Sequence, residues 1–189
     1  MGKNNRVLCY DDIIVIGDEL RLEGVTLEIR KVKRKDLKQI QEIYNHAIVN
    51  LTSTFDEEPR SFKAYESWFE LHQNPNYPLL VAVENTSVKG WASISPLHPR
   101  TAARFTGETS VYIKNDSYHK GIGSQLLKAL LNSAIDLGFH SLVALVVGNN
   151  QPSVRLHEKF GYRLAGKCEE VAFKFDTWLD LLIMQKKLY

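Results

Sequence analysis

The stretch from Val111 to Leu130 constrains this chain more than any other, because three different local structures must meet there within twenty residues. Thr109 to Lys114 is a β-branched and aromatic run that reads as a strand. Ile122, Leu126, Leu127, Leu130 and Leu131 then fall at helical spacing on one face. Between them Lys120, Gly121 and Gly123 occupy the first turn of that helix. Glycines there let a ligand approach the backbone, and the unpaired N–H groups of a helix start point at whatever docks. His119 and Lys120 add positive charge beside the helix dipole, so His119 to Ser124 suits a phosphate or pyrophosphate.

A glycine pair alone does not identify the ligand. An ordinary strand-to-helix turn uses glycine for conformation only. The dinucleotide fingerprint needs a third glycine, but Gln125 and Leu126 stand there, and the next strand, Ser141 to Val147, ends without an acidic residue for a ribose. A Walker loop is excluded, because GxxxxGK[ST] occurs nowhere.

With 189 residues the chain suits one domain, placed at 26–189, after an extension at 1–25. A net charge of +2 offers no basic field for nucleic acid or a membrane surface, so neither partner is expected. No apolar run is long enough to span a bilayer, and Ile13 to Ile16 is a short patch flanked by Asp11, Asp12 and Asp18, unlike a signal peptide. Cys9 and Cys168 have no metal-ligand spacing, so no metal is expected, and both read as reduced thiols of a cytoplasmic protein.

The periodicities predict an α+β order. In the extension, Asp11 to Ile16, a Gly17-Asp18 turn and Glu19 to Leu22 suggest a short hairpin. A strand at Thr26 to Lys31 precedes a helix from Asp36 to Asn50, and Ser61 caps a second helix expected to bury Phe62, Tyr65, Trp68 and Phe69. Those aromatics read as core rather than as a ligand box. Leu79 to Glu84 and Val88 to Ser95 form a hairpin, and a long loop from Pro96 to Gly107 follows. After the central strand and helix come Ser141 to Val147, a short helix opened by Pro152, and final strands near Cys168 to Phe175 and Trp178 to Lys186.

That order, together with several short strings, resembles the GNAT N-acetyltransferases. Asn150-Gln-Pro-Ser-Val-Arg-Leu-His157-Glu-Lys-Phe-Gly-Tyr162, Glu108 to Ile113, Tyr44-Asn45-His46-Ala47 and Phe173 to Asp180 resemble the phosphinothricin and methionine sulfoximine N-acetyltransferases in particular. The resemblance covers roughly residues 26–189. It implies the GNAT fold, acetyl-CoA as co-substrate, a small amine acceptor and a homodimer. One departure is Tyr118, which stands where the family's CoA loop carries Arg or Gln.

The resemblance implies that Glu108 is the base for the acceptor amine; on its own merits, a carboxylate beside a substrate amine takes up a proton more readily when desolvated. His157 stands where many GNAT enzymes place a tyrosine that protonates the departing thiolate, and its alternative is a histidine satisfied within the core. Asn150, with Ser153 beside it, either bonds the amide-rich pantetheine arm or caps a helix. Val111, Tyr112 and Ile113 can pair with that arm as with an added strand, and the Ile113 N–H can meet developing charge on the thioester oxygen. Arg100 and Arg104 lie on the long loop, where a guanidinium can hold a substrate acid group or simply face solvent. Phe55 and Phe105 are candidate walls of a small pocket. A polyamine or protein N-terminus as acceptor, or a silent acyl-CoA sensor, remain alternatives.

Overall fold

The computed structural model describes residues 19–22 and 25–189, with side chains from residue 27 onward. The strands are β1 (Glu19–Leu22), β2 (Val25–Lys31), β3 (Leu79–Glu84), β4 (Ser87–Pro96), β5 (Thr106–Ile113), β6 (Ser141–Val147), β7 (Arg163–Lys174) and β8 (Thr177–Lys187). They form one sheet in the order β1-β2-β3-β4-β5-β6-β8-β7. Among the described residues only β5 and β6 pair in parallel, so the sheet is mixed and mostly antiparallel. Helices α1 (Leu37–Asn50) and α2 (Phe62–Leu71) cover one face, and α3 (Ile122–Asp136) covers the other, with α4 (Gln151–Lys159) following β6.

The continuous apolar run of β3 fits a strand covered on both sides. Leu79, Val81 and Val83 pack with Leu37, Ile40 and Tyr65 under α1 and α2, whereas Leu80 and Ala82 pack with Leu126, Leu127 and Leu130 of α3. Leu126, Leu127 and Leu130 are fully buried, each contributing about 1.5–3 kcal/mol. The turn into α1 is fastened by Asp36. Its carboxylate accepts from both Arg30 Nη atoms, at 2.7 and 2.9 Å, and from the Lys33 N–H at 2.7 Å.

The structure moves several expected boundaries. Phe62 is 42% exposed, because Tyr65 and Phe69 already supply the buried face of α2. β5 begins at Thr106, so Glu108 lies inside the strand and the preceding loop is only 97–105, with a 3-10 turn at Thr101–Ala103. β7 begins at Arg163, five residues before the expected start, since its first half pairs with β8 through exposed residues and two register shifts. Of the N-terminal hairpin, 11–16 lies outside the described residues, while Glu19–Leu22 pairs with β2, Leu22 opposite Val25.

Candidate functional site

Glu108 stands where β5 and β6 part. Their pairing runs through Thr106↔Ser141, Gly107↔Leu142 and Glu108↔Val143, and ends there. At the vertex the Thr109 hydroxyl lies 3.3 Å from the Val143 carbonyl oxygen, to which it donates, and 3.3 Å from the Tyr162 hydroxyl. Beyond it the strands diverge around a groove of about 680 Å³. Thr109 to Ile113 line one side, Ala144 to Val146 the other, and the first turn of α3 and residues along α4 complete it.

The groove carries the features of an anion cradle joined to an extended slot. Gly121 takes the N-cap of α3 with φ +74°, and His119 also has a positive φ of +62°. Gly121 is natural in that conformation; His119 adopts it at a steric cost. Among the described residues no side chain caps α3, and its first turn holds no acid, so its leading N–H groups suit an incoming anion. A Cβ on Gly123 would sit 3.3 Å from Leu156, so glycine there lets α3 approach α4 closely. His119, Gly121, Ile122, Gly123, Ser124, Asn150 and Ser153 all line the groove; Lys120 does not. Two cations not expected from the sequence do, Arg155 and Lys159, one turn apart on α4. Asn150 caps α4 by accepting from the Ser153 N–H at 3.3 Å, which still leaves its amide N–H groups to donate. Donor set, charge and shape fit a diphosphate carrying an amide-rich arm.

A second cavity, about 320 Å³, lies on the α1–α2 face. Three cross-strand pairs pave it: Trp91↔Tyr112, Ser93↔Ser110 and Ser95↔Glu108. Trp91 and Tyr112 stack at 4.9 Å, and Tyr44, Tyr65 and Trp68 continue the aromatic wall. The aromatics expected as core therefore serve twice, since Tyr65 belongs to the core and lines the cavity. Phe55 lines it as expected. Burial raises the Glu108 carboxyl above the ordinary carboxylate range, and that carboxylate makes no hydrogen bond among the described residues.

Arg100, Arg104 and Phe105 line neither cavity. The early start of β5 draws their loop short. Arg104 Nη1 donates to the Thr101 carbonyl at 3.2 Å, and its guanidinium lies 4.3 Å over the Phe105 ring, which is 49% exposed. The cavity's guanidinium belongs to Arg60. Its Nε donates to Asp56 Oδ2 at 2.7 Å, and neither Nη is engaged among the described residues. Asp56 also accepts from the Tyr44 hydroxyl at 3.0 Å, tying the 51–60 loop to α1. Sequence reasoning passed over Arg60, because a loop without periodicity marks no residue as facing inward.

His157 lines the groove but is buried, with its ring edge-on to Tyr162 at 4.9 Å. Its Nδ1 lies 2.8 Å from the Ser153 carbonyl, so Nδ1 carries the proton; Nε2 is buried without a partner among the described residues. Burial lowers its pKa, against the opposing Ser153 bond. That tautomer leaves a lone pair at Nε2.

The two cavities meet. Ser53, Ser110, Tyr112 and Leu145 line both, so a group entering the groove from one face reaches a group held on the other. Among the described residues no cluster of His, Cys, Asp and Glu could hold a metal ion, and no helix is long and apolar enough to cross a membrane.

Comparison with known proteins agrees with this geometry. Residues 29–183 match the acetyltransferase (GNAT) domain model. The chain is 37% identical over 165 residues to the L-methionine sulfoximine/L-methionine sulfone acetyltransferase of Pseudomonas aeruginosa, covering 87% of this chain and 96% of that protein. It is 36% identical over 162 residues to the L-amino acid N-acyltransferase MnaT of Escherichia coli, covering 86% and 94%. Among solved structures, a GNAT superfamily phosphinothricin acetyltransferase from Sinorhizobium meliloti in complex with AcCoA superposes with TM-score 0.83 at 34% identity, covering 86% of this chain and 88% of that one.

Proposed function

From the premise that this chain belongs to the GNAT acetyltransferase family, we propose that it transfers acetyl from acetyl-CoA to the primary amine of a small amino-acid-like compound, of the methionine sulfoximine, methionine sulfone or phosphinothricin type. The observation that carries this reading is the meeting of two unlike cavities beside Glu108. One suits a diphosphate and an extended arm; the other is small, aromatic-walled and open to one guanidinium.

Acetyl-CoA supplies an activated acetyl thioester. The first turn of α3, with Arg155 and Lys159, holds the diphosphate, and the open edge of Val111 to Ile113 with Asn150 holds the arm. Arg60 holds the acceptor's acid group with its two Nη donors, leaving the amine toward Glu108. Glu108 takes the ammonium proton, directly or through a water, and the raised affinity that burial gives it suits that task. The Ile113 N–H steadies the thioester oxygen as charge builds there. Transfer is direct, and Cys168, the one cysteine among the described residues, is exposed on β7 and lines neither cavity. The enzyme works as a homodimer in the cytoplasm. Phe173, Phe175 and Trp178, 50–58% exposed on the β7–β8 hairpin, are the surface a second copy covers.

The test is release of free thiol from acetyl-CoA in the presence of methionine sulfone, methionine sulfoximine, phosphinothricin, spermidine or a peptide N-terminus. Amino-acid analogues are expected to give the highest kcat/KM. A higher value for spermidine or the peptide overturns the acceptor assignment, and thiol release with no acceptor overturns the transferase reading.

A further inference from the structure

Resting on that reading, we propose that Ser95 and His72 form the exit by which the proton taken up by Glu108 leaves the acceptor cavity. An acceptor that arrives as an ammonium ion leaves one proton over. The C–N bond forms, the C–S bond breaks, and the N–H proton released on amide formation pairs with the departing thiolate. The ammonium proton has no such partner and must pass through Glu108 to solvent while the acceptor fills the cavity mouth. Glu108 makes no hydrogen bond of its own among the described residues, but it lies directly opposite Ser95 in the β4–β5 register, and both side chains line the cavity. Directly paired residues of this kind have Cβ atoms about 5 Å apart, within reach of a hydrogen bond or one bridging water. The Ser95 hydroxyl in turn lies 3.3 Å from His72 Nε2. His72 Nδ1 is 2.9 Å from the Trp68 carbonyl, which places the ring's proton on Nδ1 and leaves Nε2 to accept from Ser95. His72 caps the C-terminus of α2 and is partly exposed, so the chain of groups runs from the cavity floor to the surface. In the relay, protonated Glu108 gives its proton to Ser95 Oγ as Ser95 passes its own to His72 Nε2, and the imidazolium sheds one to water. Glu108 returns to carboxylate and Ser95 stays neutral. Burial keeps the proton affinity of His72 low, so the ring passes the proton on.

Ser95 and His72 are positioning residues here, and their structural alternative is plain: His72 packs on Trp68 at 4.7 Å and holds a cavity wall. The experiment measures thiol release with methionine sulfone for wild type, Ser95→Ala, His72→Gln and Ser95→Thr at low and high pH, with melting temperatures recorded. Ser95→Ala and His72→Gln are expected to lose about tenfold in kcat near pH 7, with KM within about twofold. The loss should shrink to within about twofold near pH 9.5, where the acceptor enters as a free amine and brings no surplus proton. Ser95→Thr, which keeps the hydroxyl, should behave as wild type. An equal loss at both pH values, a rise in KM alone, or an unchanged kcat in Ser95→Ala overturns the relay while leaving the acetyltransferase reading intact. Failure of wild type to release thiol overturns both.

Discussion

Replacing Lys174 by methionine is a direct test of what holds the acceptor cavity in shape. Lys174 is a β7 residue, yet its buried Nζ donates to the carbonyls of Thr54 at 3.0 Å and Asp56 at 2.8 Å, in the loop that carries Phe55, Asp56 and Arg60. Two charge-assisted bonds of about 1.5–3 kcal/mol each are lost in Lys174→Met. Part of that is returned, because burying an ammonium costs several kcal/mol that the thioether avoids. A net loss of about 1–3 kcal/mol remains, and it falls on the loop. At 1.4 kcal/mol per factor of ten, the apparent KM for an amino-acid acceptor should rise about 5- to 150-fold. The acetyl-CoA dissociation constant should change far less than that KM, because most of the groove lining comes from β5, β6, α3 and α4 and only Leu51 to Ser53 come from that loop. Steady-state kinetics varying each substrate in turn, with calorimetric titration of CoA, separate the two effects. A wild-type acceptor KM in Lys174→Met would refute the reasoning. It would mean that the loop's other ties, among them the bonds of Tyr44 to Thr54 and Asp56 and of Asn45 to Arg60, hold it without Lys174.

Four further outcomes follow from the same geometry. Glu108→Gln should lower turnover by about a hundredfold near neutral pH. In wild type the acid limb of kcat/KM should lie above the ordinary glutamate value of about 4.3, because burial raises the folded carboxyl and the base is lost as pH falls through that raised value. Arg60→Ala should raise KM for an amino-acid acceptor about tenfold or more and leave that for a simple amine lacking a carboxylate nearly unchanged, as read by parallel thiol-release assays. Asp36→Asn should cost about 3–5 kcal/mol in urea unfolding near pH 7. Burial pushes the Asp36 carboxyl up, but the bonds from Arg30 and Lys33 outweigh it and hold it below the usual range. Its stabilisation is thus present above the unfolded value of about 3.9 and fades as pH drops through the lowered one, so the variant's deficit should shrink toward pH 2.

The order of elements was legible because burial imposes a period, and the period survives in the letters. α3 shows it at Ile122, Leu126, Leu127, Leu130 and Leu131, all buried. The first half of β7 is exposed and shifts register, so Arg163 to Lys167 carried no pattern to read. Glu108 was visible as an acid beside an identifiable strand, and the glycines of α3 as a turn. Arg60 was not, since its place depends on Asp56 and Tyr44, which meet it only after folding. Nor could the sequence say which nitrogen of His157 carries the proton, because the Ser153 carbonyl decides that.

The narrow overlap of the two cavities bears on how such an enzyme can change over generations. Among the described residues only Ser53, Ser110, Tyr112 and Leu145 belong to both. Residues such as Phe55, Arg60 and Trp68 can therefore drift toward a new amine without disturbing the donor, and the α3 turn can be conserved without freezing the acceptor. Tolerance for a longer acyl group falls on the shared four, where a propionyl chain must find room. Leu145, already 43% exposed, is the position at which trimming a side chain should widen acyl choice at least expense to the core.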